Sequence, residues 1–329
     1  MKRKRTKTKR KGFVVVVVLA ILMMLTVLLL GFNYKSRLCL QAADHFKKSK
    51  LALNSARAGL NIAIAAIGTN DDIFTNKTLQ SLFSPEHTFD IAEAVCSVTI
   101  NQENSKLNVN LLTDKNDKPD RTAIEQLLRL IDLLNQKQIE HPHIGYGIVP
   151  AIIDWTDADD QVAHLHYIKD KNLGAESAYY QKLSEPYNCS NASFKTTEEL
   201  LLIKGLTPDV FQRIYDYVTV YGDGKININS ASKLVIESLS QKMDPALAKI
   251  IIDQRKIKPF NSVAEVQNVP GMTDAIYSAI KEKVTVSPSD GYYHVTSKGT
   301  VNHMSRTILA VLRKNTNTKN IEVLFYKEL

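Results

Sequence analysis

The sequence predicts an α+β fold, in which a long N-terminal helix packs on an antiparallel sheet and a large all-helical domain is inserted into the sheet domain. Two observations predict it. An apolar run over residues 13–32 continues in helical period to about residue 67, and strand patterns at 97–112 and 292–329 flank a block of helical patterns. Strands that flank a helical block are typical of a domain inserted into a sheet. The expected segments are a basic leader at 1–12, the N-terminal helix at 13–67, the first part of the sheet domain at 68–119, the helical insert at 120–288 and the closing strands at 289–329.

Residues 13–32 carry no charged side chain and are almost wholly apolar. At about 1.5 Å per residue, a helix of this length crosses a hydrocarbon core of roughly 30 Å. A cleaved secretory signal would have a shorter apolar core that ends in small residues. By the positive-inside rule the leader stays in the cytoplasm, and the chain beyond the apolar run lies across the membrane. An ordinary single-span anchor would satisfy the same observations.

The helical period continues beyond the apolar run through residues 40–67. Small and apolar side chains recur there on one face, which could lie on a sheet. A plain juxtamembrane helix would show much the same pattern. The face consists of Leu51, Ala52, Ser55, Ala58, Gly59, Ile62 and Ala63.

Strand and helix patterns then follow one another in a definite order. Residues 97–112 alternate in period two around the turn residues Glu103-Asn104-Ser105, and this pattern predicts a β-hairpin. Asp120 is placed to cap a helix, and helical patterns then continue to about residue 284. The apolar face of the first of these helices consists of Ile124, Leu127, Leu128, Ile131 and Leu134.

The net charge of +8 comes from the leader, which contains eight of the 42 Lys and Arg residues, while the remaining 34 equal the number of Asp and Glu residues. Two segments, 200–214 and 266–280, have the outline of helix-hairpin-helix (SAM-like) units, a motif known for binding the phosphates of DNA. The turns of DNA-binding hairpins usually contain two glycines, because bare backbone can approach phosphate closely. Here the second glycine is replaced by Thr207 in one turn and by Thr273 in the other, and Asp209 and Asp274 follow. We therefore expect the hairpins to serve packing.

Four aspartates, Asp154, Asp157, Asp159 and Asp160, lie within seven residues. Carboxylates at this spacing repel one another unless they are solvated or bridged by a cation, and Ca²⁺ prefers roughly six to eight oxygen ligands. The run lacks the central glycine of an EF-hand loop. Two interpretations stay open at this point: a solvated acidic loop in which Asp154 or Asp157 caps a helix, and a calcium site.

Other chemistry-bearing residues give weak signals. We find no nucleophile elbow, phosphate loop or zinc spacing, so the sequence predicts no enzyme. Two histidine pairs come nearest to ligand pairs but are expected to be exposed residues: His141 with His143, and His164 with His166. Three cysteines are too few for a disulfide scaffold. Cys39 is expected beside the membrane, and Cys96 and Cys189 are candidates for one disulfide if the far side of the membrane is oxidising.

The junction Lys11-Gly12-Phe13 resembles the processing site of type IV pilins and pseudopilins. The resemblance implies that a prepilin peptidase cuts between Gly12 and Phe13 and that the new N-terminus is methylated. Val17 departs from the pattern, because most members carry Glu at this mature position, where it is thought to pair with the N-terminal amine of a neighbouring subunit. A subunit at the tip of a filament has no such neighbour above it and could do without the Glu.

Further motifs resemble the K class of type II secretion minor pseudopilins, also called general secretion pathway protein K. They are Asp154-Trp155-x-Asp157-x-Asp159, Gly174-Ala175-Glu176, Tyr179-Tyr180 and Pro186-Tyr187. The resemblance implies a subunit of the inner membrane with most of its chain in the periplasm. It would join the minor pseudopilins I and J and cap the pseudopilus that drives folded exoproteins through the secretin. The expected contacts also include the prepilin peptidase and exported substrates, but no nucleic acid.

Members of this class bind calcium in the helical domain, which favours the metal interpretation of the acidic run. On that basis the expected ligands are Asp154, Asp157, Asp159 and Glu176, with Asp160 in reserve.

One alternative is a membrane-anchored DNA receptor of the competence (ComEA) type. The order of residues 228–232 and 250–272 is similar to the hairpin domain of those receptors. Residues 195–288, however, carry 12 Lys and Arg against 11 Asp and Glu, so they offer no basic stripe. The alternative also leaves the Gly12-Phe13 junction, the expected hairpin at 97–112, the acidic run and the closing strands unexplained.

Overall fold

The computed structural model describes residues 11–69, 73–84, 87–114, 118–137, 140–169, 172–316 and 318–329. The leader residues 1–10 lie outside this range. The helices are α1 (Lys11–Thr69), α2 (Lys77–Leu82), α3 (Arg121–Lys137), α4 (Ile148–Thr156), α5 (Ser177–Tyr180), α6 (Pro208–Ile214), α7 (Lys233–Ser238), α8 (Pro245–Ile257) and α9 (Asp274–Ile280). The strands are β1 (Thr88–Ile91), β2 (Ala94–Gln102), β3 (Leu107–Asn108), β4 (Val218–Thr219), β5 (Ile226–Asn227), β6 (Val284–Thr285), β7 (Asp290–Val301), β8 (Met304–Asn315) and β9 (Ile321–Glu328).

The helix α1 is continuous over 59 residues, as the sequence predicts. Its N-terminal part is the one stretch of helix in the described chain that is long and apolar enough to cross a membrane. Apolar side chains from Phe13 to Phe32 are exposed, whereas the face that includes Ala52, Gly59 and Ala63 is buried. The helix therefore fits a single-pass anchor that continues into the folded domain.

The main sheet has the strand order β1-β2-β7-β8-β9, and all of its neighbours are antiparallel. The C-terminal part of α1 packs across it at very short range. A Cβ atom on Gly299 would lie 2.0 Å from the carbonyl oxygen of Ala52, and one on Gly59 would lie 2.4 Å from the Cys96 Sγ. The Ser297 hydroxyl donates a hydrogen bond of 2.7 Å to the Ala56 carbonyl. Small residues on both elements are thus what permits this close packing.

The strands β2 and β7 are direct neighbours in register from Val95↔Thr300 to Gln102↔Tyr293. Residues 103–289 are therefore an insertion between two neighbouring strands of the sheet, β2 and β7. They contain two further hydrophobic cores besides the one between α1 and the sheet. The first contains α3, which Asp120 caps by accepting hydrogen bonds from the amides of Thr122 and Ala123 at 2.8 and 3.1 Å.

Residues 97–112 do not form the predicted β-hairpin. The strand β2 ends at Gln102, and Glu103–Ser105 form a 3₁₀ turn in which Glu103 is buried against Lys106, with 2.9 Å between Oε1 and Nζ. The short strand β3 pairs in parallel with β4 instead of turning back on β2. The reason is burial, because the apolar side chains after the turn join a core of the helical region. They are Leu107, Val109 and Leu112.

The two predicted hairpins at 200–214 and 266–280 are only partly helical. In each, a 3₁₀ segment is followed by a glycine with positive φ, Gly205 at +85° or Gly271 at +89°. A seven-residue α-helix follows, capped by the hydroxyl of Thr207 or Thr273. The region between β2 and β7 also contains the parallel pairs β3–β4 and β5–β6. Because β4, β5 and β6 lie within the predicted helical insert, the insert is less uniformly helical than the sequence predicts.

The candidate disulfide between Cys96 and Cys189 is not formed, and both thiols are free and buried. Cys96 belongs to the core between α1 and the sheet. Cys189 belongs to the core that contains α3 and α4, where its Sγ lies 3.1 Å from the Asp154 carbonyl oxygen. The two side chains point into different cores, which sequence spacing alone could not reveal. Cys39 is exposed on α1.

Candidate metal centre

The acidic run follows directly from a buried helix. All nine residues of α4 are buried, and the helix ends at Thr156, after which Asp157 is in extended conformation. Such burial follows from the apolar sequence of α4, which packs in the same core as α3. Asp157 is also buried, while Asp159 is exposed and accepts a 2.7 Å hydrogen bond on Oδ1 from the Gln161 amide. The chain thus carries its carboxylates from the core to the surface within a few residues.

Three of the four predicted ligands converge. Asp157, Asp159 and Glu176 each offer a carboxylate oxygen, and these atoms all lie within 4.8 Å of one another. Ca²⁺ binds oxygen at about 2.3–2.6 Å, so oxygens at this separation can share one ion. Glu176 reaches the group because it stands immediately before the short helix α5, on a segment that returns to the end of α4.

Both carboxylate oxygens of Glu176 are buried, and neither accepts a hydrogen bond from any residue that the structure describes. Burial raises the pKa of Glu176 to about 8, and repulsion from Asp154, Asp157, Asp160 and Asp159 adds to the effect. A buried carboxylate without a partner is costly. The arrangement fits a site that a hard cation would neutralise.

The fourth predicted ligand, Asp154, lies outside the three-carboxylate group, and its Oδ2 is buried without a hydrogen-bond partner among the described residues. It lies fully buried on α4, and its Oδ1 accepts a 2.8 Å hydrogen bond from the Ala163 amide. Burial raises its pKa to about 6, although that hydrogen bond and the charge of Lys204 oppose the shift. Asp154 therefore holds the loop closed beside the carboxylates. Asp160 is exposed and lies outside the group, although its charge raises the pKa of Glu176.

The segment that carries Glu176 is tightly held. A Cβ atom on Gly174 would lie 2.2 Å from the Asp154 Oδ2, so only glycine fits between this segment and α4. Lys204 Nζ donates hydrogen bonds to the carbonyl oxygens of Leu173 and Gly174 at 3.2 and 3.0 Å. The Lys204 amide also donates to the Tyr180 hydroxyl at 3.3 Å. The turn of the first hairpin thus fixes the Glu176 segment.

Aromatic side chains pack against one another in the core next to the carboxylates. Trp155 stacks on Phe194 with 6.3 Å between ring centroids and meets Tyr180 edge-on at 5.4 Å. Tyr187 stacks on Tyr180 at 5.1 Å. The motifs around Tyr179-Tyr180 and Pro186-Tyr187 therefore belong to the packing of the site. Sequence patterning gave no sign of the contacts of Lys204, because a lysine in a hairpin turn carries no periodic signal.

None of the four histidines belongs to the carboxylate group among the described residues. His141 lies 3.5 Å from an Asp209 carboxylate oxygen, and His143 Nε2 lies 3.1 Å from the Asn135 amide nitrogen. His164 and His166 are both exposed, as predicted, and their Nδ1 atoms approach each other to 2.8 Å.

The sequence matches family models and relatives that share one description. Two family models match the chain, both described as type II secretion system protein K, one at residues 105–223 and one at 226–287. The protein K of Pseudomonas aeruginosa is 30% identical over 167 residues, which cover 50% of this chain and 46% of that protein. The protein K of Aeromonas hydrophila is 31% identical over 97 residues, or 30% of this chain and 27% of that protein. The matched segments thus span less than half of these relatives.

A solved structure shares the fold. The crystal structure of the GspK-GspI-GspJ complex from the enterotoxigenic Escherichia coli type 2 secretion system contains a chain that matches with a TM-score of 0.66 at 18% identity. The match covers 88% of this chain and 99% of that one. At this identity the likeness shows the fold. Because the two family models together match more than half of its residues, the chain belongs to the type II secretion system protein K family.

Proposed function

We propose that this chain is a minor pseudopilin at the tip of the type II secretion pseudopilus, where it assembles with the minor pseudopilins I and J. The observation that carries the proposal is the continuous helix α1, whose apolar N-terminal part is exposed while its C-terminal part packs on the sheet. The fold shared with a chain of the GspK-GspI-GspJ complex supports the same role. The helical region inserted between β2 and β7 would make the tip bulky.

Assembly in this scheme begins at the membrane. A prepilin peptidase would cut between Gly12 and Phe13, and the new N-terminus would be methylated. The helix α1 has no acidic residue in its first turn, and Val17 stands where most pseudopilins carry Glu. The tip position is consistent with this absence. The bulk of the chain would lie in the periplasm, anchored in the inner membrane, and could meet exported substrate and the secretin.

The test is the mass of the N-terminal peptide from protein purified out of its native membrane. We expect a methylated peptide that begins at Phe13. A chain that still begins at Met1 would contradict processing and leave a plain membrane anchor.

We also propose that Asp157, Asp159 and Glu176 bind Ca²⁺, with Asp154 beside them holding the loop. The buried, unpartnered oxygens of Glu176 support this. Calcium bound to the folded chain but not to the unfolded one would stabilise the folded chain by about 2.7 kcal/mol when free calcium is at a hundredfold excess over Kd.

The test is calorimetric titration of the full chain in detergent, with Glu176→Gln as the variant and Asp160→Asn as the matched control. We expect affinity to fall at least about tenfold in the first and to change little in the second. Equal affinities in all three proteins would contradict the site.

The helical insert and the two hairpins serve packing in this proposal. Thr207 and Thr273 cap helices, and Lys204 binds the Glu176 segment, so these turns have structural partners. Membership in a family of structural secretion components supports a role in assembly and not in catalysis. A DNA-receptor function is not favoured.

A further inference from the structure

His164 and His166 form a cluster of imidazoles that the proposed function does not use. The segment is extended at His164, which forms an isolated antiparallel bridge with Leu173. Side chains two residues apart on an extended chain project to the same side. The Nδ1 atoms are 2.8 Å apart, and the ring planes are nearly perpendicular at 89°. The two Nδ1 atoms thus face each other at hydrogen-bond distance.

The backbone between the two histidines is fixed by a buried side chain. Leu165 lies between them and is buried, and its amide donates a 2.8 Å hydrogen bond to Oδ1 of Asn172. Asn172 is 1% exposed and also donates to the Ile168 carbonyl at 3.0 Å. The backbone that carries the two rings is therefore held in place.

The distance between the nitrogens is informative about a metal. With metal–nitrogen bonds of about 2.0–2.1 Å, atoms 2.8 Å apart subtend an angle of about 86° at the metal. This is the angle between adjacent ligands of a square-planar or octahedral centre, whereas a tetrahedral ion such as structural Zn²⁺ would need a wider separation. With nitrogen ligands, Cu²⁺ and Ni²⁺ adopt square-planar or tetragonal geometries.

We propose that His164 and His166 are a bidentate site for a divalent transition metal, Cu²⁺ or Ni²⁺. Each ring would bind through Nδ1 with its proton on Nε2. The one proton that lies between the two Nδ1 atoms in the metal-free pair would move to Nε2 of its own ring, so two neutral imidazoles release no proton on binding.

The surroundings leave room for further ligands. Both histidines are exposed, and His164 lines a cavity of about 880 Å³ together with Leu173, Gly205 and the cationic side chains Lys169 and Lys204. The remaining coordination positions would hold water or an anion. The site is chemically distinct from the carboxylate group, because imidazole nitrogen favours Cu²⁺ and Ni²⁺ whereas carboxylate oxygen favours Ca²⁺.

The experiment titrates tag-free full-length protein in detergent with Cu²⁺, in the presence of saturating Ca²⁺ to occupy the acidic group. Equilibrium dialysis gives the stoichiometry, and electron paramagnetic resonance shows whether nitrogen ligands couple to the copper. We expect one strongly bound Cu²⁺ per chain with coupling to two nitrogens. His164→Gln and His166→Gln should each weaken binding at least about tenfold, because one of two tethered ligands is lost.

The matched control is His303→Gln, since His303 is exposed on the turn between β7 and β8 and lies far along the chain from the pair. It should bind copper as the wild type does. Melting curves without copper check that each variant folds. Unchanged affinity in both pair variants, or a copper signal with oxygen ligands alone, would overturn the proposal and leave the pair as a histidine–histidine hydrogen bond.

Discussion

Lys204 shows at the scale of a residue how a hairpin turn can serve a site instead of a nucleic acid. Its ammonium group binds two carbonyl oxygens of the Glu176 segment and lies 5.0 Å from the centre of the Tyr179 ring. In a DNA-binding hairpin a cation at a turn would face phosphate. Here the partners are the protein's own carbonyl groups, so the lysine joins the first hairpin to the acidic site.

Lys204→Met should destabilise the metal-free chain by roughly 1–2 kcal/mol, because two charge-assisted hydrogen bonds to carbonyls are lost from a partly exposed group. Denaturant unfolding in the presence of a chelator measures this. Lys204→Arg should restore part of the loss, and Lys195→Met, at an exposed lysine nearby in sequence, should be nearly neutral. Equal stability of Lys204→Met and wild type would show that the contacts contribute nothing.

The acidic site could be predicted only in part at this scale. The spacing of the aspartates left a solvated loop and a cation site both open, and the resemblance to the K class favoured the cation and supplied Glu176. Neither could show that Asp154 accepts a hydrogen bond from the Ala163 amide, because that contact depends on a loop that closes through nine residues. The need for glycine at Gly174 likewise follows from the approach of Asp154, which only the fold reveals.

At the scale of elements, the contact between α1 and the sheet depends on small residues on both sides. Periodicity and composition predicted α1 and the face of small residues in its C-terminal part, because a helical pattern depends only on residues close together in sequence. The sequence did not reveal Gly299 as the partner on β7, since a glycine in a strand pattern has no assigned neighbour. The closest approach is between Gly299 and the backbone of Ala52.

Gly299→Ala should therefore be costly, since its Cβ would lie 2.0 Å from a backbone oxygen and α1 would have to move off the sheet. We expect a loss of about 2–3 kcal/mol, in the upper range for overpacking. The measurement is the midpoint of denaturant unfolding. Gly145→Ala is the matched control, because a Cβ there meets nothing within 4 Å. A loss no larger than that of the control would mean that the helix and sheet are loosely packed.

At the scale of the whole molecule, the inserted region rests on the sheet through polar contacts. Asn227 donates a 2.9 Å hydrogen bond to Gln102 at the end of β2, and the Asn104 amide group binds the Asp290 carbonyl at 3.1 Å. The insertion itself could be predicted from the order of strand and helix patterns. The sequence could not exclude a hairpin at 97–112. An alternating pattern of apolar residues shows that their side chains face a core, but it does not show which core. Pairing between β2 and β7 joins residues too far apart in sequence for any local pattern.

His294 makes this boundary sensitive to acid. Its Nε2 lies 3.3 Å from the Tyr215 hydroxyl. The charges of Glu103, Lys106 and Glu198 act on its pKa. Burial lowers its pKa below the ordinary value of 6.5, although Glu103 opposes the shift. Below about 6.5 the unfolded chain takes up a proton that the folded chain takes up only at lower pH, so stability falls as pH falls through this window.

We expect Tm of the wild type to fall more than that of His294→Gln between about pH 7.5 and about pH 5.5, because the variant lacks this titration. Thermal melting at several pH values measures the difference. His303→Gln, which removes an exposed histidine, should follow the wild type. Parallel curves for His294→Gln and wild type would mean that His294 binds protons equally in both states.

Assembly with the minor pseudopilins I and J can be tested by purifying the full chain after co-expression with the I and J subunits of the same organism. We expect a stable complex of all three proteins that survives size-exclusion chromatography. Elution of this chain alone, with I and J recovered as a separate pair, would contradict it.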